Sequence, residues 1–135
     1  MKPLAFVVEG IPAVPGSAKP KREAWRAAVQ LAAREAYGER AAPIDRSLAV
    51  AFVYFHVGAA KPDIDNVAKK LFDSLKGVLF SDDSLVVEMI ARRTEIVPGL
   101  ALDDPPAPLA AALAAETANF VYVEVRDPPD PRRLP

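Results

Sequence analysis

The sequence predicts one α/β (α+β) domain, a small mixed β-sheet packed with helices in the order β-α-β-α-β-α-β. Three observations predict it. Apolar residues recur at two periods, every second residue or in near-continuous runs in some segments and every third or fourth in others. Prolines fall between these segments, and there are 14 of them in 135 residues, about twice the ordinary usage of roughly 5%. Hydrophobic residues make up 51% of a chain of one domain's length, enough for a packed core.

Each element follows from its own pattern. Residues 4–8 (Leu-Ala-Phe-Val-Val) read as a short buried strand. Residues 10–20 hold Pro12, Pro15, Gly16 and Pro20 and read as a loop. Trp25, Ala28, Val29, Ala32 and Ala36 mark one face of a helix over 22–37. Residues 47–56 are almost all apolar strand formers, which suits a central strand covered on both faces. Ile64, Val67, Ala68, Leu71 and Leu75 share one stripe about 100° wide, predicting a helix over 64–76 that Gly77 stops. Residues 84–97 read as a long strand, 98–108 as a proline-acidic connector and 109–116 as a helix. In 119–126, Phe120, Tyr122, Glu124 and Arg126 alternate with Val121, Val123 and Val125, predicting a strand with one face less buried. Residues 1–127 form the expected domain, and the proline-rich 128–135 an expected mobile tail.

Composition excludes several kinds of protein. Seventeen Lys and Arg against 18 Asp and Glu give a net charge of −1, so binding to nucleic acid needs a local basic patch. The absence of cysteine excludes a disulfide scaffold, a thiolate zinc site and a cysteine nucleophile. One histidine, His56, excludes a histidine-rich metal site. No apolar run approaches the roughly 18 residues of a membrane span. Glu9 and Gly10 break the N-terminal apolar stretch, so a cytoplasmic location is expected.

One segment carries chemistry. Asp63 and Asp65 open the 64–76 helix, and Asp82 and Asp83 follow it. Short carboxylates at the edges of apolar elements suit an oxygen cage for magnesium or manganese. Over residues 65–77 a helix rises about 18 Å at roughly 1.5 Å per residue. Residues 77–83, if extended, cover about 20 Å at roughly 3.3 Å per residue. A chain doubling back along the helix is therefore expected to set Asp83 beside Asp63 and Asp65. Lys69 stands one turn above Asp65, where an ammonium suits a phosphate oxygen. The same residues also admit a structural reading: Asp63 as a helix cap, Asp65 as a dipole partner, Asp82-Asp83-Ser84 as a turn.

Asp63-Ile-Asp65-Asn66-x-x-Lys69, then Asp73, then Asp82-Asp83 and an apolar strand, resembles the signature of the RusA-like Holliday junction resolvases. Gly10-Ile-Pro12 and the loop ending in Lys19 are similar to that family's N-terminal region. The resemblance is tight over 61–93 and loose over 4–22. It implies a small α/β homodimer that places two sites on a four-way DNA junction and cuts symmetrically, leaving 5′-phosphates. It implies Asp63, Asp65 and Asp83 as metal-binding catalytic carboxylates with Asp82 nearby, Lys69 as the catalytic lysine and Asn66 as a supporting residue. The metal is expected to be Mg2+ or Mn2+.

Lys19, Lys21, Arg22 and Lys61 are the expected DNA contacts, with Arg26 extending the basic run. Arg92 and Arg93 are expected on opposite faces of their strand. His56, Trp25, Tyr37, Phe72 and Phe80 read as structural residues. Two other functions fit the same sequence. One is a branched-DNA-binding module that no longer cuts. The other is a protein-interaction domain whose carboxylates are caps.

Overall fold

The computed structural model describes residues 3–13, 16–59 and 62–135. Strand β1 spans Leu4–Glu9, helix α1 Lys19–Tyr37, strand β2 Leu48–His56 and helix α2 Ile64–Leu75. A short 3-10 turn, Asp83–Leu85, leads into strand β3, Val86–Glu95. Helix α3, Ala107–Ala114, and strand β4, Phe120–Arg126, complete the order. The expected mixed α/β architecture is present.

Two element starts differ from expectation for one reason. α1 begins at Lys19 with Pro20 in its first turn, and α3 begins at Ala107 with Pro108 in its first turn. Proline lacks the N–H that a first turn leaves unbonded anyway and holds a helical φ, so it opens a helix as readily as it ends one.

The four strands form one sheet in the order β1-β4-β2-β3. β4 runs antiparallel to both β1 and β2, while β3 runs parallel to β2, from Leu48 opposite Val86 to His56 opposite Glu95. A parallel pair needs a crossover, and α2 supplies it. β2 is therefore central, as its apolar run predicts, and β3 is an edge strand.

Side chains alternate across the sheet, so it buries two cores. On one face, Val50, Phe52, Tyr54, Val121, Val123 and Val125 pack against Trp25, Val29 and Ala33 of α1 and Val67, Leu71 and Leu75 of α2. On the other face, Phe55, Phe120 and Tyr122 pack under Leu109 and Ala112 of α3. Phe55 and Phe120 stack with ring centroids 4.8 Å apart. One face of β4 is less buried, as expected: Val121, Val123 and Val125 are all buried, while the opposite face is buried only where α3 covers it. Phe120 and Tyr122 are both buried, and only Glu124 and Arg126 are half-exposed. Burial there pushes the Tyr122 hydroxyl pKa up, and its hydrogen bond to Glu124 adds to the shift.

β3 is covered far less. Val87, Met89 and Ile90 are all exposed, at 56%, 48% and 45%. Among the described residues, no helix is long and apolar enough to cross a membrane.

Candidate active site

The acidic residues are placed by the crossover from β2 to β3. β2 ends at His56, and the chain then starts α2 with Asp63 at its N-cap position and Asp65 in its first turn. Both are exposed. The Asp63 side chain makes no capping hydrogen bond. Among the described residues, neither carboxylate has a hydrogen-bond or ion-pair partner, which leaves the oxygens of both open to solvent. Asn66 is half-buried and Lys69 exposed on the next turn.

At the other end of α2 the chain does not extend back along the helix. Gly77 adopts φ +82°, a conformation that suits glycine, and its N–H donates to Phe80 O at 2.7 Å. Val78 N and Leu79 N both donate to Leu75 O, closing a tight turn. Phe80 is fully buried and meets Phe72 edge to face. Ile44 N donates to Leu79 O at 2.8 Å, and Ser81 N donates to Ile44 O at 3.0 Å. Ile44 precedes β2, so residues 79–81 are pinned where that strand begins.

This corrects the expected convergence. Asp63 and Asp65 lie toward the end of the sheet where β2 finishes, and Asp82 and Asp83 where it starts. The 12-residue α2 between them spans about 18 Å. Among the described residues, no three His, Asp or Glu side chains stand together as a metal site. The apolar residues Val78, Leu79 and Phe80 do lie against the core, but by folding into a turn rather than a strand.

The adjacent aspartates at this end are employed differently. Asp82 Oδ2 accepts from Ser84 N at 3.1 Å and from the Ser84 hydroxyl. Asp82 Oδ1 lies 3.2 Å from Lys76 Nζ. The Ser84 hydrogen bonds, helped by the Lys76 ammonium, hold the Asp82 carboxyl at about 2, below an ordinary 3.8. Asp82 therefore caps the 3-10 turn. Asp83 is exposed and has no partner of this kind among the described residues.

A second feature at the Asp63 end escaped the sequence reading. His56 Nδ1 lies 2.8 Å from Gly58 O. A carbonyl only accepts, so Nδ1 carries the proton and a neutral ring keeps Nε2 as an acceptor. His56 lines an open cavity with Gly58, Ala59, Arg93 and Glu95. The parallel register that sets Glu95 opposite His56 was the missing signal. Arg92 points the other way, into a cavity beneath α3 with Val53 and Phe55.

Of the expected DNA contacts, Lys19, Lys21 and Arg22 are exposed on the first turn of α1, and Lys61 lies outside the described residues. Lys19 pairs loosely with Glu23 at 3.8 Å. Lys19 and Arg22 turn toward α2, where Arg26 and Lys70 join them along one cleft. Lys21 is not part of that lining.

No curated protein matches the chain. The family model described as Endodeoxyribonuclease RusA matches residues 17–102, well over half of the 135. The match runs from the start of α1 through both acidic groups and past β3. The chain belongs to the RusA endodeoxyribonuclease family.

Proposed function

We propose that the protein is a divalent-metal-dependent endonuclease that resolves Holliday junctions in DNA recombination and repair, working as a homodimer. The observation that carries this reading is the family match across residues 17–102, which includes Asp63, Asp65, Lys69 and Asp83. The exposure of the three carboxylates, which have no partner among the described residues, is compatible with it, since their oxygens are open to a cation. Asp63, Asp65 and Asp83 would hold Mg2+ or Mn2+, with Lys69 facing phosphate and Asn66 supporting the first turn. Asp82 would act through the turn that presents Asp83. Residues 1–127 would form the nuclease domain, with 128–135 as a tail.

Among the described residues one chain brings no such ligand set together, and the edge strand offers a way for two chains to do so. β3 offers unpaired backbone groups and exposed Val87, Met89 and Ile90, the features of a strand that pairs with another chain. A two-fold axis across β3 would pair it antiparallel with its copy. Antiparallel pairing sets the start of one β3 beside the end of the other. The Asp83 end of each chain then faces the Asp63–Asp65 end of its partner. Each site would draw carboxylates from both chains, and a dimer would present two sites for the two cuts a junction needs. The metal, when bound, supplies an activated water and neutralises charge on the phosphate. Lys69 adds positive charge at that phosphate.

The test is cleavage of a synthetic four-way junction in magnesium or manganese by two inactive variants, Asp65→Asn and Asp83→Asn, alone and mixed. In a shared-site dimer, the mixed heterodimer holds one intact site and one doubly substituted site. Mixing then restores nicking of one strand. If each site lay within one chain, the mixture would stay as inactive as its parts. Junction binding without cleavage under any divalent metal would overturn the nuclease reading itself.

A further inference from the structure

α1 and α2 lie side by side, tied where Arg26 Nη2 donates to Asp73 O at 3.2 Å and Gln30 Nε2 donates to Ser74 O at 3.1 Å. A cleft of about 320 Å³ lies between them. Four cationic side chains line it: Lys19, Arg22 and Arg26 from α1 and Lys70 from α2. Two carboxylates, Glu23 and Asp73, share the lining, which leaves a surplus of positive charge. Glu23 is the partner of Lys19. Neither the Arg22 guanidinium nor the Lys70 ammonium has an ion-pair partner among the described residues.

The wall of the cleft adds a second, independent observation. Trp25 is 6% exposed, and its indole Nε1 is buried with no hydrogen-bond partner among the described residues. Indole N–H is a donor only, so the group it lacks is an acceptor. Buried donors are nearly always satisfied, so an open donor on a residue that lines a cationic cleft is a place for an acceptor. Solvent does not reach Nε1 in this arrangement. Trp25 itself lines the cleft, so the lining must rearrange for an acceptor to reach that donor.

We infer that the α1–α2 cleft binds a backbone phosphate of DNA, apart from the carboxylates that would cut it. The ligand's chemistry, a phosphate oxyanion, follows from the donors; its source in DNA rests on the nuclease reading above. The cleft gathers Lys19 and Arg22 with Arg26 and Lys70 and leaves Lys21 aside, so the phosphate contact is set by the helix pair rather than by the basic run along α1.

Trp25 is the only tryptophan, so its fluorescence reports on the cleft alone. In EDTA, the protein is titrated with unbranched duplex DNA and, separately, with inorganic phosphate. Duplex is expected to change Trp25 emission. The Arg22→Ala/Lys70→Ala double variant should bind duplex about tenfold more weakly, with its log–log salt slope reduced by about two. Trp25→Phe keeps an aromatic ring but loses the N–H, and should bind labelled duplex about threefold more weakly by anisotropy. Unchanged melting by circular dichroism confirms that the variants fold. Duplex binding with no change in Trp25 emission would overturn the inference, as would a double variant with wild-type affinity and slope. A response to inorganic phosphate but not to duplex would also overturn it, assigning the cleft to free phosphate. Unchanged emission alongside intact junction cleavage sinks the cleft alone, whereas absence of any DNA binding sinks the nuclease reading too.

Discussion

The two ends of α2 both carry aspartates, and they are built on different physics. At the first turn, Asp63 and Asp65 stand exposed at the helix N-terminus, Asp63 making no capping hydrogen bond and Asp65 placed where the helix dipole favours a negative charge. Beyond the last turn, Asp82 is held by Ser84 and Lys76, while its neighbour Asp83 has no such partner among the described residues. Residue type and position at the edge of an apolar element are the same in all four cases. What separates them is whether a nearby donor has already claimed the oxygens. Whether a carboxylate's oxygens are already engaged is therefore a tertiary property that its place in the sequence does not give.

The largest effect tests how the second end is held. Phe80→Ala removes the fully buried ring that anchors the 76–80 turn and should cost about 3–5 kcal/mol, read by denaturant unfolding. It should also displace Asp83 and lower cleavage in the folded fraction. Next, Asp65→Asn and Asp83→Asn should each reduce junction cleavage by about a hundredfold or more while leaving thermal unfolding in place. If only one of them did so, the pairing of the two ends would fail. Third, Met89→Glu with Ile90→Lys should weaken self-association on the order of tenfold or more, measured by sedimentation, because charge on an exposed edge opposes strand pairing. Cleavage by this variant should recover as protein concentration rises.

The smallest effect separates Asp82 from Asp83. Asp82→Asn should lower the melting temperature by a few degrees and reduce cleavage far less than Asp83→Asn. A loss equal to that of Asp83→Asn would break the comparison. The stabilisation by Asp82 also has a defined pH signature. Its folded-state carboxyl sits at about 2, below the ordinary 3.8, so the folded state favours the ionised form. The contribution is complete above about pH 4 and is lost as pH falls toward about 2. The melting difference between wild type and Asp82→Asn should follow the same course and close at the acid end.

Element identity was legible residue by residue. The apolar run 47–56 named the central strand, and the stripe from Ile64 to Leu75 named the crossover helix. The errors came from context. Pro20 and Pro108 open helices, although they read as interruptions. The less buried face of β4 is present at Glu124 and Arg126, but Phe120 and Tyr122 on that face are buried because α3 covers them, and nothing within 119–126 encodes a helix on that side. In the site, the acidic and basic residues could be named in advance, but their distances could not. The sequence-based route for residues 77–83 allowed an extended path of the right length. The chain instead turns on Gly77, because burying Leu79 and Phe80 and pairing with Ile44 satisfies more apolar surface and backbone than an exposed extended run would. His56 and Glu95 meet only through strand register, and Lys70 joins Arg22 only through helix packing.

By itself, the sequence determined the elements and the chemistry they carry, because periodicity, capping and side-chain type act over a few residues. Only the tertiary structure decided the strand order, the exposed β3 edge, the separation of Asp65 from Asp83 and the α1–α2 cleft. Those depend on contacts between residues far apart in the chain, where the outcome is set by which surfaces can be buried together.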